Sequence, residues 1–270
     1  MPHTGKSTLA QLADRHLLYQ QSVQDVESEI DFISETWQDL RDHPTLVLRE
    51  DFCGTANTSC EWIKRDADHQ AIGVDLDASV LDWGRQHNLA NLTDDQRQRI
   101  HLIQDDVRFV RPGAADIIIA MNFSYYLFKT RGELKAYFKN ALAGLDPDGI
   151  FFLDAYGGYE APMELEEPRE CEGFTYIWEQ ASFNPIDSLM TCLIHFEFPD
   201  KSRMENAFSY HWRLWTLPEI REILYEAGFP KVDIYWEGTD EKKNEGNGTY
   251  TPSETGDADP GWVCYIVAQA

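Results

Sequence analysis

The sequence predicts an α/β protein built around a doubly wound, mostly parallel β-sheet. Two observations lead to this prediction. From residue 45 onward, short apolar runs alternate with helical stretches, which is typical of strand–helix–strand units with parallel strands. Apolar residues make up 43% of the 270 residues and aromatic residues 13%, enough for the core of one large α/β domain with an insertion, or of two small domains.

Residues 1–44 are predicted to form an N-terminal helical segment. Apolar residues recur at helical spacing from residue 7 to residue 40, with polar residues between them. The sequence Asp42-His-Pro ends this run, because proline cannot continue a helix. The pattern indicates one or two amphipathic helices.

Apolar runs predict five parallel strands, at residues 46–48, 71–74, 100–103, 116–121 and 149–154. Helical periodicity between the runs predicts three helices, at residues 59–65, 79–88 and 131–145. The turn sequence Asp146-Pro-Asp-Gly149 closes the last of them. We assign residues 45–155 and 216–270 to one α/β domain.

Residues 156–215 are predicted to be an insertion in this domain. An acidic linker at residues 164–172 is followed by three stretches rich in aromatic and β-branched residues, which predict a three-stranded antiparallel meander. A helix at residues 218–227, stopped by Gly228, and two further strands then complete the α/β domain. The polar, glycine-rich stretch between these strands, residues 238–261, is predicted to be a mobile loop.

Charge and cysteine content exclude several classes of function. With 47 acidic and 23 basic residues the formal net charge is −24, which repels nucleic acids and anionic membranes. Five cysteines without a C-x-x-C motif argue against disulfides and a zinc site, so no metal is expected. The N-terminus lacks an apolar signal segment, and no run of about 18 apolar residues occurs. We expect a soluble, cytoplasmic protein.

The ends of the predicted strands indicate a cofactor site. Ligands of a doubly wound sheet bind at the carboxyl ends of the strands, and the turn after the first strand contacts them most closely. Residues 50–56 occupy this turn, Asp75 ends the second strand, and Asp106 follows the third. Acidic strand ends without a phosphate-binding Lys or Arg predict a cofactor that carries a ribose and an amine or cation.

At these positions the chain resembles class I S-adenosylmethionine-dependent methyltransferases over residues 46–155 and 216–270. Residues 50–56, EDFCGTA, are similar to the family motif D-L-G-C-G-T-G, and residues 145–150, LDPDGI, to its L-x-P-G-G motif. The resemblance implies a Rossmann-like seven-stranded sheet, mostly parallel, with an antiparallel C-terminal hairpin. It also implies S-adenosyl-L-methionine as cofactor, and an N-terminal helical lid over the cofactor's methionine end.

The resemblance implies a role for each matched residue. Glu50 takes the position of the first acidic residue and Gly54 that of the middle glycine, Asp75 holds the ribose hydroxyls, and Leu76 packs on the adenine. Asp106 and the Val107 backbone contact the adenine edge. The full set of expected cofactor contacts is Tyr19, Glu50, Phe52, Cys53, Gly54, Asp75, Leu76, Asp106, Val107 and Asn122.

Two residues depart from the family motif. Phe52 and Ala56 replace its outer glycines, so a Cβ atom must be accommodated at both positions. The Phe52 ring either turns away into the core or leans over the ligand. Tyr19 in the N-terminal helices contacts the cofactor if these helices form a lid. The alternative is a surface helix with an apolar stripe.

Four residues are candidates for catalysis. Asn122 and Tyr125 follow the fourth strand, in a position similar to the N-P-P-Y motif of amino methyltransferases, although both prolines are missing. The alternative for this stretch is a turn packed by its aromatic residues. His195 and His211 lie on predicted strands of the meander and are candidate bases, although single histidines are more often structural.

These features predict a methyltransferase that acts on a small molecule. The methyl group would pass to an N or O nucleophile by in-line displacement, so the protein mainly aligns the acceptor and excludes water. The insertion is expected to cap the carboxyl edge of the sheet and to select a compact acceptor, neutral or cationic. The alternatives are a nucleic-acid or protein methyltransferase, a nicotinamide dehydrogenase without its G-x-G-x-x-G motif, and a non-catalytic S-adenosylmethionine-binding module.

Overall fold

The computed structural model describes residues 7–240 and 245–270. Eight α-helices are present in these ranges: α1 (Leu9–Leu12), α2 (Arg15–Ser22), α3 (Val26–Leu40), α4 (Asn57–Arg65), α5 (Ala78–His87), α6 (Asp94–Gln98), α7 (Arg131–Ala143) and α8 (Leu217–Ala227). The same ranges contain the strands β1 (Val47–Asp51), β2 (Gln70–Asp75), β3 (Ile100–Gln104), β4 (Ala115–Ala120), β5 (Leu145–Gly157), β6 (Leu165–Cys171), β7 (Phe174–Asn184), β8 (Leu189–Glu197), β9 (Arg203–Arg213), β10 (Lys231–Asp240), β11 (Glu245–Pro252) and β12 (Trp262–Gln269).

The chain divides into two compact units. The larger unit contains Asp25–Gly158 and Trp215–Ala270, and the smaller unit contains Met1–Gln24 and Tyr159–Leu214. The segment of residues 1–44, treated above as one piece, is therefore shared: α1 and α2 belong to the smaller unit and α3 to the larger one. No helix within the described ranges is both long enough and apolar enough to cross a membrane.

The sheet of the larger unit has the strand order β11-β10-β12-β5-β4-β1-β2-β3. Neighbouring strands from β3 to β5 pair in parallel, whereas β12 runs antiparallel to both β5 and β10. The prediction of a mostly parallel sheet with an antiparallel C-terminal hairpin is thus confirmed. The order reverses between β4 and β1, so the carboxyl ends of these strands border the crevice in which such sheets bind ligands.

An eighth strand, β11, lies inside the stretch predicted to be a loop. It pairs antiparallel with β10 at the edge of the sheet. Its sequence is rich in glycine and polar residues and lacks strand alternation, so the pattern gave no signal. The Tyr250 ring of this strand packs within the larger unit, 4.6 Å from the Tyr265 ring and 6.0 Å from the Phe32 ring. Residues 241–244 of the predicted loop fall outside the described ranges.

Helix α3 covers one face of the larger sheet. Its apolar stripe includes Ile33 and Trp37, which belong to the same buried cluster as Ile119 and Phe152 from β4 and β5. Phe32 stacks on Tyr265 of β12 at 4.2 Å. Apolar side chains at helical spacing thus meet apolar strands, and they fix α3 against the sheet.

The smaller unit is a four-stranded antiparallel sheet in the order β6-β7-β8-β9. The meander prediction therefore missed β6, which occupies the acidic stretch assigned to a linker. Charged side chains are common on edge strands because they oppose edge-to-edge association, and they hid the strand pattern here. Helix α2 packs on the aromatic face of this sheet, with Leu18 and Tyr19 in the same cluster as Phe196 and Phe208.

Candidate cofactor-binding site

The loop after β1 has a left-handed backbone at alternate residues. The φ angles are 59° at Phe52, 52° at Gly54 and 57° at Ala56. These three positions correspond to the three glycines of the motif D-L-G-C-G-T-G. A left-handed conformation costs a residue with a Cβ about 1–2 kcal/mol. The loop therefore keeps a backbone conformation that favours glycine, although Phe52 and Ala56 are strained in it. A Cβ built on Gly54 would meet no atom within 4 Å, so the loop is open at its centre.

Asp75 and helix α5 hold this loop in place. The Asp75 carboxylate accepts hydrogen bonds from the Gly54 N–H at 2.8 Å and from the Asp77 N–H at 2.9 Å. A Cβ on Gly84 of α5 would lie 2.5 Å from the Thr55 carbonyl oxygen, so only glycine permits this close approach. Burial raises the pKa of Asp75. Beside it, the Leu76 side chain is 68% exposed at the end of β2.

Asp106 follows β3, the edge strand that pairs with β2, and β2 ends at Asp75. Its carboxylate accepts hydrogen bonds from the Arg108 side chain, and this contact lowers the pKa of Asp106. The side chain of Val107 is buried, and its carbonyl oxygen accepts a 2.6 Å bond from Asn140 Nδ2. The sequence placed Asp106 at this edge but gave no role to Arg108.

Besides Asp51, which pairs with Arg49, three buried carboxyl groups lie in the same unit: Glu29 on α3, Glu50 on β1 and Asp154 on β5. Burial, together with the charges of Asp154 and Glu50, raises the pKa of Glu29 to about 8. Burial likewise raises the pKa of Glu50 and of Asp154 to about 7. Among the residues that the structure describes, none of these three carboxyl groups forms a salt bridge. Such a set is suited to a ligand that brings its own positive charge.

Glu50 is held by the first turn of α4. Its Oε2 accepts hydrogen bonds from the Ser59 N–H at 2.9 Å and from the Ser59 hydroxyl. The hydroxyl of Thr58, the residue before Ser59, lies 3.5 Å from Glu29 Oε2. Helix α4 thus links the two glutamates. Over the described ranges, no group of three or more His, Cys, Asp or Glu side chains has the geometry to hold a metal ion.

Asp154 fixes the turn after β4. Its two carboxylate oxygens accept hydrogen bonds from the Asn122 N–H at 2.7 Å and the Phe123 N–H at 2.8 Å. Both of these residues have a left-handed backbone, with φ of 57° and 56°. The Asn122 side chain is half-buried, at the carboxyl end of β4 next to β1.

Tyr125 lies in the same turn but in a different setting from the one predicted. It is fully buried, and its hydroxyl donates a 2.8 Å bond to the Asp154 carbonyl oxygen. Burial raises its pKa well above the ordinary value. A hydroxyl bound to the main chain inside the core supports the packed-turn alternative for Tyr125, because it is not presented to a ligand.

Phe52 turns toward the core. Its ring lies 5.4 Å from Tyr137 of α7 and 6.1 Å from Phe128, and the residue is half-buried. Tyr137 also donates a 3.0 Å bond to Asp51, which forms a fully buried pair with Arg49. Of the two alternatives for the Phe52 ring, the structure shows the ring turned away into the core.

Solved structures resemble this chain over nearly its whole length. An S-adenosylmethionine-dependent methyltransferase from Clostridium acetobutylicum aligns with a TM-score of 0.69 and 18% identity, over 94% of this chain and 96% of that one. An amino pentose methyltransferase from Micromonospora echinaspora, solved with S-adenosylmethionine bound, has a TM-score of 0.66 and 14% identity over 100% of both chains. This chain has the Rossmann-like methyltransferase fold. No family model and no curated protein matches its sequence.

A third structure with the methyltransferase fold is the sugar N-methyltransferase KedS8 from Streptoalloteichus. It has a TM-score of 0.63 and 15% identity, over 100% of this chain and 96% of that one. At identities this low, the similarity establishes the fold. The residues of this chain must themselves supply the argument for its chemistry.

The methyltransferase fold brings most of the predicted cofactor residues to one edge of its sheet. They are Glu50, Phe52, Cys53, Gly54, Asp75, Leu76, Asp106, Val107 and Asn122. Within this set Cys53 is buried. Sequence reasoning missed Glu29 and Asp154. Glu29 lies one turn before Ile33, on the buried face of α3. An acidic residue within this apolar stripe is the sequence feature that could have identified Glu29 as a site residue.

The remaining candidates belong to the smaller unit. His195 is 3% exposed, its Nε2 lies 2.8 Å from Glu179, and its Nδ1 lies 2.8 Å from Glu205. Both ring nitrogens are therefore engaged within the unit, as in a structural histidine. His211 is exposed, with Nδ1 3.3 Å from the Thr191 hydroxyl. Tyr19 packs on Phe208 with 4.9 Å between ring centroids.

Proposed function

We propose that this protein is a methyltransferase that binds S-adenosyl-L-methionine and methylates a small molecule. The observation that carries the proposal is the loop of residues 52–56, which keeps the left-handed backbone of a cofactor loop although Phe52 and Ala56 oppose it. Strained backbone of this kind persists where the surrounding structure and the function require it. The methyltransferase fold supplies the context in which this loop faces a ligand.

The residues at the sheet edge fit the cofactor by their chemistry. Asp75 would accept hydrogen bonds from the ribose hydroxyls, and the exposed Leu76 would cover one face of the adenine. The Asp106 carboxylate and the Val107 N–H would contact the edge of the base. Buried carboxyl groups without a basic partner, Glu50 foremost, suit the ammonium and sulfonium charges of the ligand.

The cofactor supplies an activated methyl group, and the protein supplies alignment. Asp154 holds the turn of Asn122 rigidly, so the Asn122 amide is positioned to orient an acceptor by hydrogen bonding. If the acceptor loses a proton, the exposed imidazole of His211 is a candidate to receive it, whereas His195 is already engaged by two glutamates. Tyr19 remains a proposed contact to the methionine end.

A small-molecule acceptor is favoured by the charge of the chain and by its structural neighbours. The net charge of −24 opposes binding of nucleic acid. Structures with the same fold include an amino pentose methyltransferase and a sugar N-methyltransferase. We propose a compact acceptor with an N or O nucleophile.

Five free cysteines are consistent with function in a reducing cytoplasm.

Transfer of a labelled methyl group tests the proposal. The protein is incubated with methyl-labelled S-adenosylmethionine in three parallel reactions, which contain a metabolite extract, total RNA or a protein lysate. We expect label to appear in the metabolite fraction alone, and to be reduced by S-adenosylhomocysteine. Label in RNA or protein would establish a macromolecular acceptor. Binding of the cofactor without transfer in any fraction would establish a binding module.

A further inference from the structure

Arg108 occupies most of the hydrogen-bonding capacity of Asp106. Its Nε lies 3.0 Å from Asp106 Oδ1, its Nη2 lies 2.6 Å from Oδ2, and its main-chain N–H donates to Oδ1 at 2.9 Å. An ionised carboxylate offers about four acceptor positions. These contacts fix the orientation of the carboxylate and leave little of it for a ligand.

Aromatic rings hold the Arg108 side chain on two sides. The centre of its guanidinium lies 5.3 Å from the Phe109 ring and 5.6 Å from the Phe128 ring. Phe128 in turn packs against Phe52 of the cofactor loop, with 6.1 Å between ring centroids. The Asp106 carboxylate is thus connected through Arg108 and Phe128 to the loop residue that departs from the glycine motif.

We propose that Arg108 is a positioning residue that sets the purine specificity of this site. By fixing the Asp106 carboxylate, it directs the remaining acceptor position toward the 6-substituent of the base and selects a 6-amino purine over a 6-oxo purine. This inference rests on the proposed function, in which Asp106 contacts the adenine edge.

The selectivity follows from hydrogen-bond polarity. An ionised carboxylate only accepts hydrogen bonds, so it pairs with an amino group and repels a carbonyl oxygen. Without Arg108 the carboxylate can rotate away from the base, and its contribution to the distinction between the two purines is lost.

Calorimetric titration with two ligands tests the proposal. S-adenosylhomocysteine carries a 6-amino group and an unprotonated N1, whereas S-inosylhomocysteine carries a 6-oxo group and an N1–H. We expect the protein to bind the adenosyl ligand about tenfold tighter or more, because the 6-amino group donates to the carboxylate, which would repel a 6-oxo group. Arg108→Gln should lower this affinity ratio about threefold or more, and Arg108→Lys should lower it less.

Control variants separate positioning from stability. Arg111→Gln alters an exposed arginine of the same segment and should leave the ratio unchanged. Asp106→Ala should lower the ratio at least as far as Arg108→Gln does, and adding Arg108→Gln to it should change the ratio no further. A merely structural role would weaken both ligands equally, so an unchanged ratio in Arg108→Gln overturns the proposal. Equal binding of both ligands by the unaltered protein also overturns it, and binding of neither refutes the proposed function itself.

Discussion

At the scale of single residues, the site combines backbone strain with buried carboxyl groups. Phe52 and Ala56 hold a conformation that favours glycine, and Glu29, Glu50 and Asp154 are carboxyl groups inside the protein. Both features reduce stability in the absence of a ligand. They are concentrated around the carboxyl ends of β1, β4 and β5, where the fold binds its ligand, and each has a measurable consequence.

Replacement of Phe52 separates the strain from the packing. Phe52→Ala loses the ring contacts with Tyr137 and Phe128 and keeps the strain, so we expect a loss of about 2 kcal/mol. Phe52→Gly loses the same contacts but accepts a φ of 59° freely, so it should be more stable than Phe52→Ala by about 1 kcal/mol. Urea denaturation of the three proteins measures both differences. An alanine variant as stable as the glycine variant would show that the loop is not strained.

The buried glutamate on α3 predicts a pH dependence of stability. The pKa of Glu29 is about 8 in the folded protein, above its ordinary value of 4.5. Between these values the native state binds a proton that the unfolded state has released, so stability should fall as pH rises from about 4.5 through 8. Glu50 and Asp154 act in the same direction, and their contributions are lost as pH rises through about 7.

Glu29→Gln removes one of these titrations. The variant and the ligand-free protein should melt at similar temperatures at pH 5, and the variant should melt higher at pH 9. Glu27→Gln is the matched control, because Glu27 is exposed on the same helix. Calorimetric melting curves from pH 5 to pH 9 provide the comparison. Parallel curves for Glu29→Gln and the unaltered protein would rule out a raised pKa at Glu29.

At the scale of elements, the sequence pattern was informative where burial is continuous. Strands β1 to β5 and helix α8 follow from apolar runs and from the Gly228 stop, since parallel strands covered on both faces are apolar throughout. Edge strands β6 and β11 were missed because their charged and polar residues carry no alternation. The carboxylate contacts of Asp154 also lay beyond the sequence, because they depend on how the turn after β4 approaches β5 in space. The Arg108–Asp106 pair is local, but its geometry depends on the conformation of the loop after β3.

Strand β11 should depend on one aromatic side chain. Tyr250→Ala removes the contacts with Tyr265 and Phe32, so residues 245–252 should exchange their amide hydrogens about tenfold faster, which corresponds to about 1.4 kcal/mol. The parallel strands should keep their protection. Thr251→Ala, a change at the next residue of the same strand, serves as control. Unchanged exchange in Tyr250→Ala would show that hydrogen bonds to β10 suffice to hold the strand.

At the scale of the whole molecule, the methyltransferase fold is established by structures that share less than a fifth of its sequence. The acidic residues of the sheet edge survive in this chain, whereas two of the three loop glycines do not. We expect carboxylate positions and loop geometry, rather than glycine content, to decide whether this fold binds its cofactor. Asp75 tests this expectation most directly.

The decisive measurement is calorimetric titration of S-adenosylmethionine into the protein, Asp75→Ala and Asp82→Ala. The unaltered protein should bind one equivalent, and Asp82→Ala, which alters an exposed acid on α5, should bind equally well. Asp75→Ala should remain folded and bind at least tenfold more weakly, since hydrogen bonds to a charged group are worth roughly 1.5–3 kcal/mol each. Absence of binding by the unaltered protein, or an affinity of Asp75→Ala within about twofold of it, would contradict the account.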